Sequence, residues 1–320
     1  MINYICRRLL YALLIVVLVS MIVFILIRML PGDPIEIVVS QSALTDLVVD
    51  PEYYDLLRAR HGLDKPVPIQ YLTWLAKVVR GDFGNSIIRN YNIAQDIKMR
   101  VVVTVMLGVM SFIVSIIIGI FLGIISAIRR GKLIDNVVTL IANIGITAPT
   151  FWIGILCIYL IGFKLGVLPL YGYTLPWVDF GLCIRQSIMP VFVMALGPLA
   201  STSRQMRSSM LDVINQDYIR TAWSKGLNER KVIIKHVIKN SLMPVVTLQG
   251  AQLRNIFGGS AVVETLFVIP GMGKMIVDGM LAHDYPVIQA VTLIMTFIVV
   301  VVNLLMDLMY GWIDPRIQYE

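Results

Sequence analysis

Six apolar runs constrain this chain more than anything else in it. They lie at about Leu9–Ile27, Val101–Ile128, Asn136–Ile161, Ser187–Ser203, Leu242–Val263 and Pro286–Met306. Each reaches or approaches the ~20 residues a helix needs to cross ~30 Å of hydrocarbon. The expected fold is therefore an all-α polytopic membrane protein with six transmembrane helices. Composition agrees: 15% of the 320 residues are charged, against roughly a quarter in a soluble domain. The fourth run contains Pro190 and Pro198. Proline at that depth is tolerated where neighbouring helices or water satisfy the freed carbonyls, so this run is expected inside a bundle.

The basic residues set the orientation. Arg7 and Arg8 precede the first run, and Arg129, Arg130 and Lys132 lie between the second and third. The connection between the fourth and fifth carries Arg204, Arg207, Arg220, Lys225, Arg230, Lys231, Lys235 and Lys239 against Asp212, Asp217 and Glu229. That loop alone holds +5 of the chain's net +7. Both termini and the basic loop are thus expected on the cytoplasmic side. The first run has the basic flank of a secretory signal, but it is long and exits into "RMLPGDP" rather than a small-residue cleavage site. That favours a retained anchor.

A long segment, Pro31–Arg100, is expected outside. Its prolines and mixed charges mark it as water-exposed, with an amphipathic helix in "IQYLTWLAKVV" around Trp74. A structureless loop of this length is improbable in a compact protein, so it is expected to be ordered and used; the plainer alternative is a solvated cap. The organisation that follows is a first helix plus external loop over residues 1–100, a five-helix core over 101–310 with a loop at 204–241, and a cytoplasmic tail over 311–320.

Several chemistries are missing. The nearest approach to a P-loop, "RRGKLID" at Arg129–Asp135, lacks the leading glycine and the hydroxyl. GxSxG, HExxH and paired carboxylates within a run are absent. Cys6, Cys157 and Cys183 have neither metal-ligand spacing nor the even number of a disulfide framework. The one ionisable side chain well inside a run is Arg254, with Asn255 beside it and Gln252 and Gln249 below. A proton- or sodium-coupled transporter needs titratable or coordinating groups near the midplane, and Asp135, Glu264 and Asp307 stand only at the margins. Energy for transport is therefore expected from another chain. Arg254 lies about 18 Å along its helix. It either lines a translocation path, together with Asn143, Gln252, Asn255 and Glu264, or snorkels towards an interface.

The basic loop reads as two short helices. Leu211, Ile214, Tyr218 and Ala222 share a face at helical spacing. Gly226 then stops the first half, and Asn228 caps a second half with Glu229 in its first turn. Ile233, Ile234, Val237 and Ile238 fall on one side of that half, with a row of Lys231, Lys235 and Lys239 on another. Locally this fits a helix-turn-helix, yet short tethers to apolar runs at both ends leave little freedom to enter a nucleic-acid groove. A lipid-facing basic helix is the stronger alternative.

At this loop the chain resembles a known family. "RTAWSKG" at Arg220–Gly226, with "LMP" at Leu242–Pro244, looks like the EAA loop of inner-membrane permease subunits of ABC importers. The likeness is to the dipeptide/oligopeptide/nickel branch, with Arg220-Thr221-Ala222 standing where E-A-A would. "LPGDP" (Leu30–Pro34), "HGLDKPVPIQYLTWL" (His61–Leu75), "RGDFGNS" (Arg80–Ser86), "APTFWIG" (Ala148–Gly154), "RQMRSSMLDV" (Arg204–Val213), "GGSAVVETLFVIPGMG" (Gly258–Gly273) and "DPRI" (Asp314–Ile317) extend it over essentially the whole chain.

The resemblance implies the type I importer permease fold and a place in a bacterial inner membrane. It implies a second homologous permease subunit as heterodimer partner, two cytoplasmic ATPases and an extracytoplasmic solute-binding protein. It also implies no catalysis and no cofactor on this chain, ATP and Mg being used by the ATPases. The EAA loop of such proteins docks in a groove of the ATPase, which makes Tyr218, Arg220, Thr221, Ala222, Lys225, Gly226, Glu229 and Arg230 candidate coupling residues. Branch members are associated with dipeptides, longer peptides, glutathione-like peptides, nickel and metal chelates. The competing classes are a self-contained secondary transporter or channel, and a membrane-embedded enzyme for which no catalytic constellation exists.

Overall fold

The computed structural model describes residues 2–29, 56, 58–59 and 63–313. The expectations for Leu30–Pro34, for the front of the external segment and for the tail from Asp314 lie outside them. Among the described residues regular structure is helical, apart from one isolated bridge between Asn85 and Asn92. The helices are α1 (Ile2–Met29), α2 (Val67–Val79), α3 (Ile93–Ile128), α4 (Leu133–Thr147), α5 (Thr150–Cys157), α6 (Phe180–Ile214), α7 (Asp217–Ser224), α8 (Glu229–Val232), α9 (Lys239–Leu266), α10 (Met272–Leu281) and α11 (Tyr285–Ile313). Two π-helical stretches, Ile158–Lys164 and Ile233–Ile238, follow α5 and α8. The chain divides into two compact units, Met1–Val102 with Gly271–Glu320, and Val103–Pro270.

In the first unit α2 is the amphipathic helix expected around Trp74. It is pinned to α1: Phe24, 1% exposed, meets the Tyr71 ring edge-on at 5.4 Å and Trp74 at 5.8 Å. Arg28 stacks 4.8 Å above the Phe24 ring and donates to the Gln70 side chain at 3.0 Å. A second apolar cluster joins Ile93 and Ile97 to Met272, Met275, Val287 and Val291. Beside it Asp284, buried, accepts from the Ser86 hydroxyl and the Ile87 amide. Burial there pushes the Tyr91 phenol up, and the nearby Asp96 and Asp284 carboxylates add to the shift.

The second unit is organised on α6. Asp179 caps that helix by accepting from the Leu182 amide at 2.9 Å, and α4 and α9 pack along it. The second apolar run meets α6 through Gly119 and Gly123. A Cβ on Gly119 would stand 2.9 Å from the Leu199 carbonyl oxygen, and one on Gly123 2.6 Å from that of Ser203. This is the small-xxx-small spacing that lets helix backbones approach in a membrane.

Among the described residues four helical segments are long and apolar enough to cross a bilayer: Cys6–Met29, Ile93–Ile128, Phe180–Ile214 and Tyr285–Met306. A fifth is reached if Leu133–Thr147 and Thr150–Lys164 count as one span bent by 110°. The run Asn136–Ile161, read above as one span, is that bent pair. Ala148 precedes a proline and is driven out of helical conformation, with φ −73° and ψ 134°. By contrast Pro190 and Pro198 lie inside α6 without ending it. The run Leu242–Val263 is one helix, α9, but its glutamines, Arg254 and Asn255 keep it short of the others' apolarity.

Candidate functional site

The basic loop begins where α6 ends at Ile214, and Asn215–Gln216 separates it from α7. The break moves the inward face. Ile219 (0% exposed) and Ala222 (9%) turn into a core with Met206, Met210, Val232 and Val237, while Tyr218, expected on that face, is exposed. Gly226 adopts φ +75°, and no atom lies within 4 Å of where its Cβ would be. Glycine is favoured there by backbone conformation, not by crowding within this chain. Asn228 accepts from the Arg230 amide at 3.0 Å, capping α8. The π-helical turn then leaves Val237 buried and Ile234 exposed, so the four apolar residues expected on one side are split. Lys231, Lys235 and Lys239 are all exposed.

Of the expected coupling residues, Tyr218, Arg220, Thr221, Lys225, Gly226, Glu229 and Arg230 are exposed. Ala222 is buried, on the inner side of α7 with Leu211 and Ile214 packed against the same cluster. Trp223, 40% exposed, shares this surface; composition alone did not single it out. The Tyr218 hydroxyl accepts from the Asn240 amide at 3.1 Å, tying α7 to the start of α9.

The loop joins the bundle beside an ion pair, its carboxylate buried and its guanidinium half-buried, that the sequence reading left unassembled. Asp135, whose side chain is 4% exposed, receives Arg207 Nε at 2.8 Å on one carboxylate oxygen and Arg207 Nη2 at 2.9 Å on the other. The Ser126 hydroxyl and the Gly131 amide also donate to it. This fork-to-fork geometry fixes direction as well as charge, and it clamps the Arg129–Lys132 turn to α6. Nothing in a one-dimensional pattern pairs residues 72 positions apart.

At the 110° break between α4 and α5 the unit holds a cavity of about 310 Å³. Gln252 and Asn255 line it, with Thr150, Ser201, Gly145 and Gly197 among the others. Of the remaining path candidates, Asn143 and Arg254 are exposed but outside the lining. Glu264 is fully buried and accepts from the Thr104 hydroxyl at 2.7 Å, also outside it. Gln249 turns to α6 and donates to the Thr202 hydroxyl oxygen at 3.2 Å. Among the described residues no three His, Cys, Asp or Glu side chains gather as a metal site.

Comparisons with known proteins cover the whole chain. The family described as "Binding-protein-dependent transport system inner membrane component" matches residues 119–319, and the N-terminal component of the same kind matches residues 1–107. The oligopeptide transport system permease protein AppB of Bacillus subtilis (strain 168) is 39% identical over 323 residues, covering 99% of each chain. A peptide permease protein of Brucella suis biovar 1 is 38% identical over 322 residues, again 99% of each. Among solved structures, a chain of the MetNI methionine ABC transporter aligns with a TM-score of 0.55 at 17% identity, over 68% of this chain and 96% of that one. A chain of an amino acid ABC transporter crystallised with histidines aligns at 0.50 and 15%, over 70% and 94%. At such identities these two speak for the fold alone.

Proposed function

The chain belongs to the binding-protein-dependent transport system inner membrane components, and from that premise we propose that it is the permease subunit of an ATP-driven importer of peptides. The observation that carries this is similarity to an oligopeptide permease at 39% identity over 99% of each chain. The chain is a multi-pass inner-membrane protein, contributes no catalysis, and works with ATPase and solute-binding partners.

Finer features of the reading are proposals. The apolar runs make six spans with both termini in the cytoplasm, α9 being the polar one, supported by the placement of the basic residues. Residues 1–100 form the first helix with its external loop, 101–310 the five-helix core, and 311–320 a cytoplasmic tail. A second, homologous permease completes a heterodimer, and ATP and Mg are used by the ATPases. The external loop meets the binding protein.

Coupling falls to the exposed side of α7 and the turn after it. The inner side is packed against the chain's own core, so a push on the outer side is carried into α6 and α9 as a rigid body. Tyr218, Arg220, Thr221, Lys225, Gly226, Glu229 and Arg230 are the contacts, and the loop's positive charge suits an acidic rim on the ATPase. Ala222 supports this surface from behind.

The test is reconstitution in liposomes with the partner permease, the ATPases and the binding protein. Peptide uptake should require both ATP and binding protein. Uptake by the isolated chain without ATP would favour a secondary transporter or channel instead. Replacing Arg220 and Lys225 together by glutamate should reduce co-purification of the ATPases while the thermal unfolding of the chain stays put. Unchanged co-purification would remove the coupling assignment but leave the importer reading standing.

A further inference from the structure

The cavity at the α4–α5 break holds polar groups that the helices do not use. Four polar side chains line it: Thr150, Ser201, Gln252 and Asn255. Gln252 is 8% exposed, and among the described residues no side-chain hydrogen bond reaches any of the four. The Gln252 amide opens into the cavity, and Thr150 and Asn255 are exposed, so these groups are free to bond whatever occupies the site.

The backbone adds acceptors. In an unbroken helix the Gly145 carbonyl would take the amide of residue 149, and the Met194 carbonyl that of residue 198. Both positions are proline, which has no N–H to give. Gly145, Met194 and Pro198 all line the cavity. Irregular backbone at membrane depth is tolerated where it lines a cavity. The lining contains no ionisable side chain, and Arg254, one position from Asn255, stays outside it.

We propose that this cavity is a subsite for the main-chain amides of the transported peptide, which deepens the peptide-importer reading and rests on it. Peptide N–H groups donate to the carbonyls released by Pro149 and Pro198. Peptide C=O and N–H groups exchange hydrogen bonds with the side-chain amides of Gln252 and Asn255. The volume, at the low end of the ~300–1,000 Å³ of small-molecule sites, suits a short stretch of main chain. Because no charge lines the wall, cationic, anionic and neutral side chains meet the same environment. Hydrogen bonds between neutral groups are also weak enough to release what they hold, which passage requires.

The experiment uses the complete importer in proteoliposomes and four tripeptides of equal length: neutral, lysine-containing, glutamate-containing, and neutral with its central amide N-methylated. Affinity of the binding protein for each is measured separately and divided out. Gln252→Leu and Asn255→Leu should each lower uptake of the three unmethylated peptides by about tenfold and to the same extent, the scale of one lost hydrogen bond. The ATPases should still co-purify and still respond to loaded binding protein. In the unaltered importer N-methylation should slow uptake by a similar factor.

Unchanged uptake in the variants, a loss confined to one charge class, or indifference of the unaltered importer to N-methylation would each overturn the subsite. If the variants fail to assemble, the N-methyl comparison in the unaltered importer decides by itself. If that importer takes up none of the four peptides, the peptide reading falls, and the subsite with it.

Discussion

In the loop Asp217–Ile238 the buried apolar residues pack within the chain, and the charged groups face outward. Ile219, Ala222, Val232 and Val237 turn inward, Asn228 caps α8, and next to the loop Arg207 closes both oxygens of Asp135. The cavity at the α4–α5 break is built the other way. Its four polar side chains lack protein partners, and two prolines withhold donors from its carbonyls. The first region is stable as it stands and presents charge outward, as a rigid lever should. The second keeps hydrogen-bonding capacity in reserve. Substitutions should therefore act differently in the two places: on the packed inner side of the loop stability and function fall together, and in the cavity they separate.

The largest effect is expected from Arg207→Ala. It leaves the Asp135 carboxylate, 4% exposed, buried without its cation, which costs about 3–5 kcal/mol and should appear as a large drop in the unfolding temperature in detergent. Arg207→Lys should recover only part, because a single ammonium cannot reproduce the two-pronged geometry. A small loss with Arg207→Ala would mean that the loop is not held by this clamp.

Next comes Ala222→Leu, which forces extra volume into a packed core at about 1–3 kcal/mol. Thr221→Leu, one residue away but exposed, should stay within about 0.5 kcal/mol. Equal effects of the two, measured by thermal unfolding, would show that α7 does not present the inward face described. Gly226→Ala follows at about 1–2 kcal/mol, from the left-handed backbone alone, since nothing crowds its Cβ position. Gly226→Asn should cost less than Gly226→Ala, because asparagine tolerates that conformation better.

The loop's punctuation was legible in the sequence for the reason that it is local. Gly226 and Asn228 act through their own backbone and the next two residues, so type and position suffice. The helical spans were legible because apolar length is also a local property. What was not legible depends on neighbours. Helix α6 stops at Ile214, two residues before α7 begins, and this hands the buried position from Tyr218 to Ile219. Prolines 190 and 198 stay inside a helix while Pro149 opens a 110° bend; the same residue type gives both results, and packing chooses between them. Gly119 and Gly123 look unremarkable in an apolar run until α6 is laid against them. Along α9 the polar residues were visible as a group. A step of one residue turns a helix by about 100°, so only the assembled unit shows Gln252 and Asn255 on the cavity and Arg254 off it.

The smallest change in stability is expected where the change in function should be greatest within the chain, at Gln252→Leu. In α6 beside the loop, an equivalent polar-to-apolar exchange at Ser209 would strip a buried hydroxyl that donates to the Ser241 carbonyl at 2.9 Å, at about 1 kcal/mol. Gln252 makes no such bond, and leucine of similar size brings no unmet polar group, so unfolding should shift by no more than about 0.5 kcal/mol in either direction. A clear loss of stability would mean that the Gln252 amide serves the fold rather than a passenger. In that case the contrast between a satisfied loop and an open-handed cavity would disappear. An unshifted unfolding temperature together with a tenfold fall in uptake, with the ATPases still bound, is the combination expected of a group held in reserve in the cavity.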